Sequence, residues 1–167
     1  MANTDRDLKR LAARVGRLLL SRQLTVTTAE SCTGGWIAKA LTDVAGSSAW
    51  FSEGFITYSN DSKANLLGVP EKVLRQHGAV SRATAERMAK GALRPAQAQL
   101  AVAVTGIAGP GGAVAGKPVG TVWLAWASRK GARVKVMAQL KHFRGDRDTV
   151  RRKAVAAALK GLLKIPD

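Results

Sequence analysis

The sequence predicts an α/β layered domain, in which a mixed, mostly parallel central sheet is covered by helices on both faces. Three observations carry that expectation. An opening apolar series with helical spacing gives way to a β-branched run, a compact apolar segment from Leu100 to Val104 stands mid-chain, and two alternating segments near its end lead back into helical spacing. With 167 residues and 46% hydrophobic content, the chain is long enough to bury one full core, so a single domain over 1–167 is expected.

In chain order, Leu8, Leu11, Ala12, Val15, Leu18 and Leu19 mark the first helix, and Leu24 to Thr28 reads as the first strand. Trp36 to Val44 is predicted helical until Ala45 to Ser48 breaks it. Phe51 to Tyr58 forms a second strand, ended by the turn chemistry of Ser59, Asn60 and Asp61. Lys63 to Leu67 makes a short helical turn, Gly68 to Pro70 interrupts it, and Glu71 to Gln76 resumes. Ser81 caps a further helix with Thr84 and Glu86 in its early turns and Met88, Ala89 and Leu93 on its apolar side; Pro95 closes it. After Leu100 to Val104 comes a glycine-rich loop from Gly106 to Gly120. Val122 to Ala127 and Val134 to Gln139 then form a hairpin about a turn from Ser128 to Gly131. Asp148 to Leu163 is the last helix, with Val150, Ala154, Ala157, Ala158 and Leu162 inward and a basic outer side. No fixed-period repeat, low-complexity tract or linker divides the chain.

The 27 basic and 11 acidic side chains give a formal charge of +16, which attracts any polyanion. The cations are nevertheless spread from Lys9 to Lys164. Their densest patch, Lys141 to Lys153, contains only Phe143 as an aromatic on which a base could stack. A small phosphorylated substrate needs the same local sign, and a solvated face accounts for the remaining charges. The lone Cys32 excludes an internal disulfide and a multi-cysteine metal cage, so a reducing, cytoplasmic setting is expected. Met1 to Lys9 is polar and does not read as an export signal, and the apolar stretches fall short of a membrane span. His77 and His142 have no ligand pattern beside them, so no metal is expected.

The chemistry concentrates at Thr28 to Trp36, where a strand gives way to glycines and a helix. Ser31 there stands at the carboxyl end of a strand beside a helix start, whose free N–H groups and dipole favour developing negative charge. Ser31 and Thr33 are also ordinary N-cap residues, and residue type alone does not separate the two roles. Cys32 is a rival nucleophile, but no histidine adjoins it and a buried thiol is a common small core residue. Tyr58 and Lys63 can face the same end of the sheet as Ser31. A lysine acts as a base near neutrality only where desolvation or positive neighbours lower its pKa; otherwise Lys63 is a surface lysine and Tyr58 a half-buried strand aromatic. In the loop from Thr105, the glycines Gly106, Gly109, Gly111 and Gly112 can turn N–H groups toward a phosphate or carboxylate, or simply cross between layers. It lacks the Gly-Lys-Ser/Thr ending of a nucleoside-triphosphate loop, and the dinucleotide fingerprint is absent.

Four motifs in one order, Thr28-Ala-Glu-Ser-Cys-Thr-Gly-Gly35, Tyr58-Ser-Asn-Asp-Ser-Lys63, Gly78-Ala-Val-Ser81 and Thr105-Gly-Ile-Ala-Gly-Pro110, resemble the CinA carboxy-terminal family over nearly the whole chain. The resemblance implies a stand-alone nicotinamide-nucleotide amidohydrolase that converts nicotinamide mononucleotide and water into nicotinic acid mononucleotide and ammonia. It implies a homo-oligomer as well. Its motif residues fall on Ser31, Tyr58 and Lys63. The mechanism so implied has Ser31 attack the carboxamide carbon while Lys63, alone or through Tyr58, accepts the proton. Backbone groups about Thr33, Gly34 and Gly35 are the expected oxyanion donors, with Thr105 and Arg144 as further substrate contacts. Gly106 to Gly112, with Arg144 and Arg147, are expected to hold the phosphate. The amide-to-acid conversion needs no metal or redox cofactor, and the expected partner is a small phosphorylated nucleotide, not a membrane or a specific nucleic acid. The contrasting reading is a basic nucleic-acid-binding module without enzymatic activity.

Overall fold

A computed structural model describes residues 4–165, so the outermost positions of the expected 1–167 domain lie outside the described residues. The elements are α1 (Asp5–Arg22), β1 (Val26–Glu30), α2 (Trp36–Thr42), a 3-10 turn (Ser47–Ala49), β2 (Phe51–Ile56), α3 (Asn60–Leu67), α4 (Glu71–His77), α5 (Arg82–Ala92), β3 (Leu100–Gly106), β4 (Thr121–Lys130), β5 (Arg133–His142) and α6 (Arg147–Leu162). They build one sheet in the order β2-β1-β3-β4-β5. β1 pairs in parallel with both β2 and β3, whereas β4 is antiparallel to β3 and β5, so only β4 runs against the other strands. The expected mixed, mostly parallel sheet is therefore observed.

The two faces of the sheet are covered differently because β3 alternates valine with alanine. Val102 and Val104 join Val122, Leu124 and Trp126 in the larger core, under α1, α2 and α6. Ala101, Ala103, Ala125 and Ala127 form the opposite face, where short side chains leave room for Met88, Ala89 and Ala92 of α5. At Gly161 in α6, a Cβ would stand 2.1 Å from the Trp126 ring, so this helix reaches the sheet only because the position has no side chain. Among the described residues no helix is long and apolar enough to cross a membrane, and no group of His, Cys, Asp and Glu is placed to hold a metal ion.

The elements depart from the sequence expectation mainly at their ends: β2, for instance, stops at Ile56, which leaves Tyr58 in the loop after it rather than in the strand. Three further departures have a direct physical cause. β1 is Val26–Glu30 rather than Leu24 to Thr28, because Ala29 and Glu30 are held in the ladder on both sides, Ala29 by Phe55 and Ala103, Glu30 by Ile56 and Val104. Asn60 and Asp61 lie inside α3: the Ser59 hydroxyl accepts the Ser62 N–H at 3.0 Å, so the polar cluster is a helix cap rather than a turn. The hairpin closes on Gly131 and Ala132, since the backbone pairing of β4 with β5 persists to Lys130 and Arg133 although those side chains gain no burial.

The connection from β1 to β2 runs through α2 on one face, and the return to β3 runs through α5 on the other. Their divergence leaves a crevice at the carboxyl end of β1, the place where open α/β sheets bind ligands. Ser31, the residues after β2 and the residues after β3 all meet there.

Candidate active site

Ser31 is fixed to the neighbouring strand by its own N–H, which donates to the Val104 carbonyl at 3.0 Å. The chain then turns tightly, with the Gly34 N–H on the Ser31 carbonyl (3.0 Å) and the Trp36 N–H on the Thr33 carbonyl (3.3 Å). Gly35 takes φ +91°, and a Cβ there would meet Ile56 at 2.9 Å, so only glycine fits the entry to α2.

Glu30, which the sequence reading gave no role, is fully buried and caps α2. Its carboxylate accepts the N–H groups of Gly35 (3.1 Å), Ile37 (3.0 Å) and Ala38 (2.8 Å). This corrects two expectations. Neither Ser31 nor Thr33 caps the helix, and the first N–H groups of α2 are not free to meet developing charge. The signal available in the sequence was an acid in an otherwise apolar strand shortly before a helix start. Because its removal strands three N–H groups, Glu30→Ala is expected to cost about 3 kcal/mol in denaturant unfolding. A loss below about 1 kcal/mol would show the cap to be dispensable.

Lys63, on the first turns of α3, is 1% exposed and points back at the end of β1. Its Nζ lies 2.9 Å from the carbonyl oxygen of Thr57, 3.2 Å from that of Tyr58, 3.3 Å from that of Ser59 and 3.4 Å from Ser31 Oγ. Burial lowers the Lys63 pKa from its ordinary value of 10.5. Once deprotonated, Nζ needs only two of these carbonyls for its N–H groups and has a lone pair for the Ser31 hydroxyl proton. Burial also pushes the Cys32 thiol up to about 12, so it is neutral at physiological pH and poorly suited to attack.

Tyr58 contributes in two ways. Its main-chain carbonyl holds Lys63, while its side chain is 62% exposed and its hydroxyl accepts from Arg147 Nη2 at 3.2 Å. Among the described residues that hydroxyl makes no hydrogen bond to Ser31 or Lys63. Arg147 Nη1 donates to the Gly109 carbonyl at 2.8 Å, so the guanidinium bridges the loops after β2 and β3, and among the described residues its partners are neutral oxygens. The Gly34 and Gly35 N–H groups are already used, as given above; the Cys32 N–H meets its own thiol sulfur, and that of Thr33, a fully buried residue, donates to no acceptor among the described residues.

The other expected substrate residues are spread more widely. Thr105 is buried, and its hydroxyl donates to the Ala79 carbonyl at 2.8 Å, tying down the loop before α5. Gly106 pairs with Val122 as the last residue of β3, and a Cβ there would stand 2.7 Å from the Val122 side chain, so the position needs glycine. Gly111 and Gly112 lie exposed in the loop. Arg144 lines a groove of about 810 Å³ between β5 and α6, with Lys141, Lys153 and Lys160. No local sequence pattern marks Arg151, which the fold brings to the segment after Ser31. Its Nε donates to the Cys32 carbonyl at 3.0 Å and its Nη2 to the Thr33 carbonyl at 2.9 Å, across more than a hundred residues of chain.

The chain resembles known proteins over nearly its whole length. A nicotinamide-nucleotide amidohydrolase of Escherichia coli K12 is 55% identical over 159 residues, covering 95% of this chain and 94% of that protein. A protein of the same name from Pseudomonas putida is 53% identical, covering 93% and 94%. The crystal structure of a competence/damage inducible protein from Agrobacterium tumefaciens superposes with a TM-score of 0.88 at 47% identity, covering 98% of this chain and 96% of that one. The family model of the CinA C-terminal domain matches residues 8–165, and the chain belongs to that family.

Proposed function

We propose that this chain hydrolyses the carboxamide of nicotinamide mononucleotide, giving nicotinic acid mononucleotide and ammonia, with Ser31 as nucleophile and Lys63 as its base. The observation that carries the reading is the buried Lys63 Nζ at 3.4 Å from Ser31 Oγ. Relatives more than half identical over nearly their full length, named for this activity, supply the substrate.

Ser31 Oγ attacks the carboxamide carbon as its proton passes to Lys63 Nζ. The carbonyl oxygen becomes an oxyanion, for which the backbone N–H of Cys32, directly after Ser31, is the donor. The tetrahedral adduct collapses, the C–N bond breaks, and the leaving nitrogen takes the proton from Lys63 to depart as ammonia. Water then attacks the acyl-enzyme, losing a proton to Lys63, and the acid is released as Ser31 recovers a proton. Tyr58 acts through Arg147: with neutral oxygens as its partners among the described residues, Arg147 keeps donors and its positive charge for the nucleotide phosphate.

The test is to incubate the purified protein, treated with chelator, with nicotinamide mononucleotide and to follow ammonia and product together. Equimolar ammonia and nicotinic acid mononucleotide are expected. Their absence at saturating substrate would defeat the reading, and sequence-selective nucleic-acid binding by such an inactive sample would promote the binding-module alternative. Arg147→Ala is expected to raise KM for the mononucleotide by about 10- to 100-fold while changing KM for nicotinamide riboside little. Arg144→Ala, altered in the groove between β5 and α6, is expected to do much less. Equal losses on both substrates would remove Arg147 from phosphate recognition.

A further inference from the structure

We propose that the groove between β5 and α6 is a docking surface for an acidic amphipathic helix of a partner protein. It stands apart from Ser31 and Lys63, neither of which lines it. Side chains of β5 alternate across the sheet, so Val134, Val136 and Ala138 pack against the core under α5, while Lys135, Met137 and Gln139 emerge on the other face. On that face α6 is pinned over β4, where Trp126 Nε1 donates to the Ala158 carbonyl at 3.0 Å. Beyond it β5 is the edge strand, and among the described residues no helix covers it: Lys135, Met137 and Gln139 are exposed, Met137 at 49%. Helices pack about 8–10 Å apart and strands lie about 4.8 Å apart, so the place next to α6 in its layer falls over β5 and its free edge. One further helix would complete the layer.

The chemistry of the groove selects its occupant. The floor is apolar or small, made by Met137, Phe143, Ala156, Ala157 and Gly161. Lys141 and Arg144 stand on the strand side and Lys153, Lys160 and Lys164 on the α6 side, with no carboxylate in the lining. Lys153 and Lys160 are two turns apart, about 10 Å along α6, too far for one small anion to meet both. Carboxylates at the same spacing on a facing helix do meet both, while its apolar face covers Met137 and Ala157. Single-stranded nucleic acid also carries spaced charge, but its bases need aromatic faces, and here Phe143 is half-buried and Trp126 is buried against Gly161. A second copy of this chain brings the wrong sign. Among the described residues no helix carries more than two acids, and α1, which has Asp5 and Asp7, also has six Lys or Arg residues.

The probe is a fluorescein-labelled helical peptide of about four turns, with glutamates on one face and leucines on the other, followed by fluorescence polarisation at physiological salt. Binding in the micromolar range is expected, with a Kd of roughly 10 μM, and affinity about tenfold or more lower for a peptide of the same composition whose leucines are scattered around the helix. The double substitution Lys160→Glu, Lys164→Glu and the single substitution Met137→Glu are each expected to weaken binding by about tenfold or more, with turnover of nicotinamide mononucleotide unchanged. All three side chains are exposed, thermal unfolding checks the fold, and either variant alone carries the test. Failure of the peptide to bind, equal affinity for the scattered peptide, or an affinity that either variant leaves unaltered would overturn the inference, since each leaves only unspecific attraction to a basic protein. A single-stranded DNA that binds more tightly than the peptide and is lost in Lys160→Glu, Lys164→Glu would overturn it by giving the groove to nucleic acid. Self-association in sedimentation that Met137→Glu abolishes would overturn it by giving the groove to a second copy.

Discussion

Ser31→Ala is expected to abolish hydrolysis of nicotinamide mononucleotide, by about 10⁴-fold or more in kcat, while leaving the fold intact. The size of the effect follows from the chemistry, because no neighbouring group can take over the covalent step. Cys32 is the nearest rival, and burial holds its thiol at about 12, far from the thiolate form. The small effect on folding follows from the structure: the hydroxyl touches Lys63 at 3.4 Å and caps nothing, since Glu30 serves α2. Stability should stay within about 1 kcal/mol of the original. Substrate affinity measured by calorimetry should also persist. A Cys32→Ala control should keep most of its turnover. Normal activity in folded Ser31→Ala, or its collapse in Cys32→Ala, would transfer the nucleophile elsewhere.

Lys63→Met should lower kcat by about 10³-fold with substrate binding little changed, since a buried base is removed while the wall of the site stays filled. The pH dependence has a definite sign. A lysine base acts as the neutral amine, and burial lowers the Lys63 pKa from 10.5, so with Lys63 in the proposed role kcat/KM should rise with pH through that lowered value and level off above it. Stability carries the same signature. Below the folded-state pKa, Lys63 is protonated in the folded and unfolded chain alike. Between that value and 10.5 the unfolded chain binds the extra proton, so stability rises with pH across this window. Lys63→Met should lose that slope, which denaturant unfolding at a series of pH values reads directly. A retained rise in kcat/KM, or turnover near that of the original, would assign the base to another group.

Much of the architecture is written in local pattern. Helical spacing from Leu8 to Leu19, the compact run from Leu100 to Val104 and the alternation Val134, Val136, Ala138 each report a face that must be buried, and burial is what selects a period. Element ends were less legible because they are decided by pairing: Ala29 and Glu30 are strand because two neighbours hold them, and Asn60 is helix because the Ser59 side chain caps the turn before it. In the site, the residue types at Ser31 and Lys63 were visible where a strand gives way to a loop and a helix begins. What brings them together is the parallel register of β1 with β2, which sets Glu30 against Ile56 and hence Ser31 beside the loop that Lys63 clasps.

Local pattern alone carries the layered α/β class, the candidate residues Ser31 and Lys63 near strand ends, and an excess of positive charge that suits a phosphorylated partner. Which groups those residues meet follows from the packing of distant segments. It gave the helix N-terminus to Glu30, the Tyr58 hydroxyl to Arg147 and the Cys32 and Thr33 carbonyls to Arg151, and it turned Arg144 toward a separate groove. The physical reason is one of range: periodicity and turn chemistry act over a few residues, whereas a hydrogen bond between Arg151 and Cys32 exists only after α6 has packed across the sheet and its apolar face has fixed where every polar side chain on that helix must point.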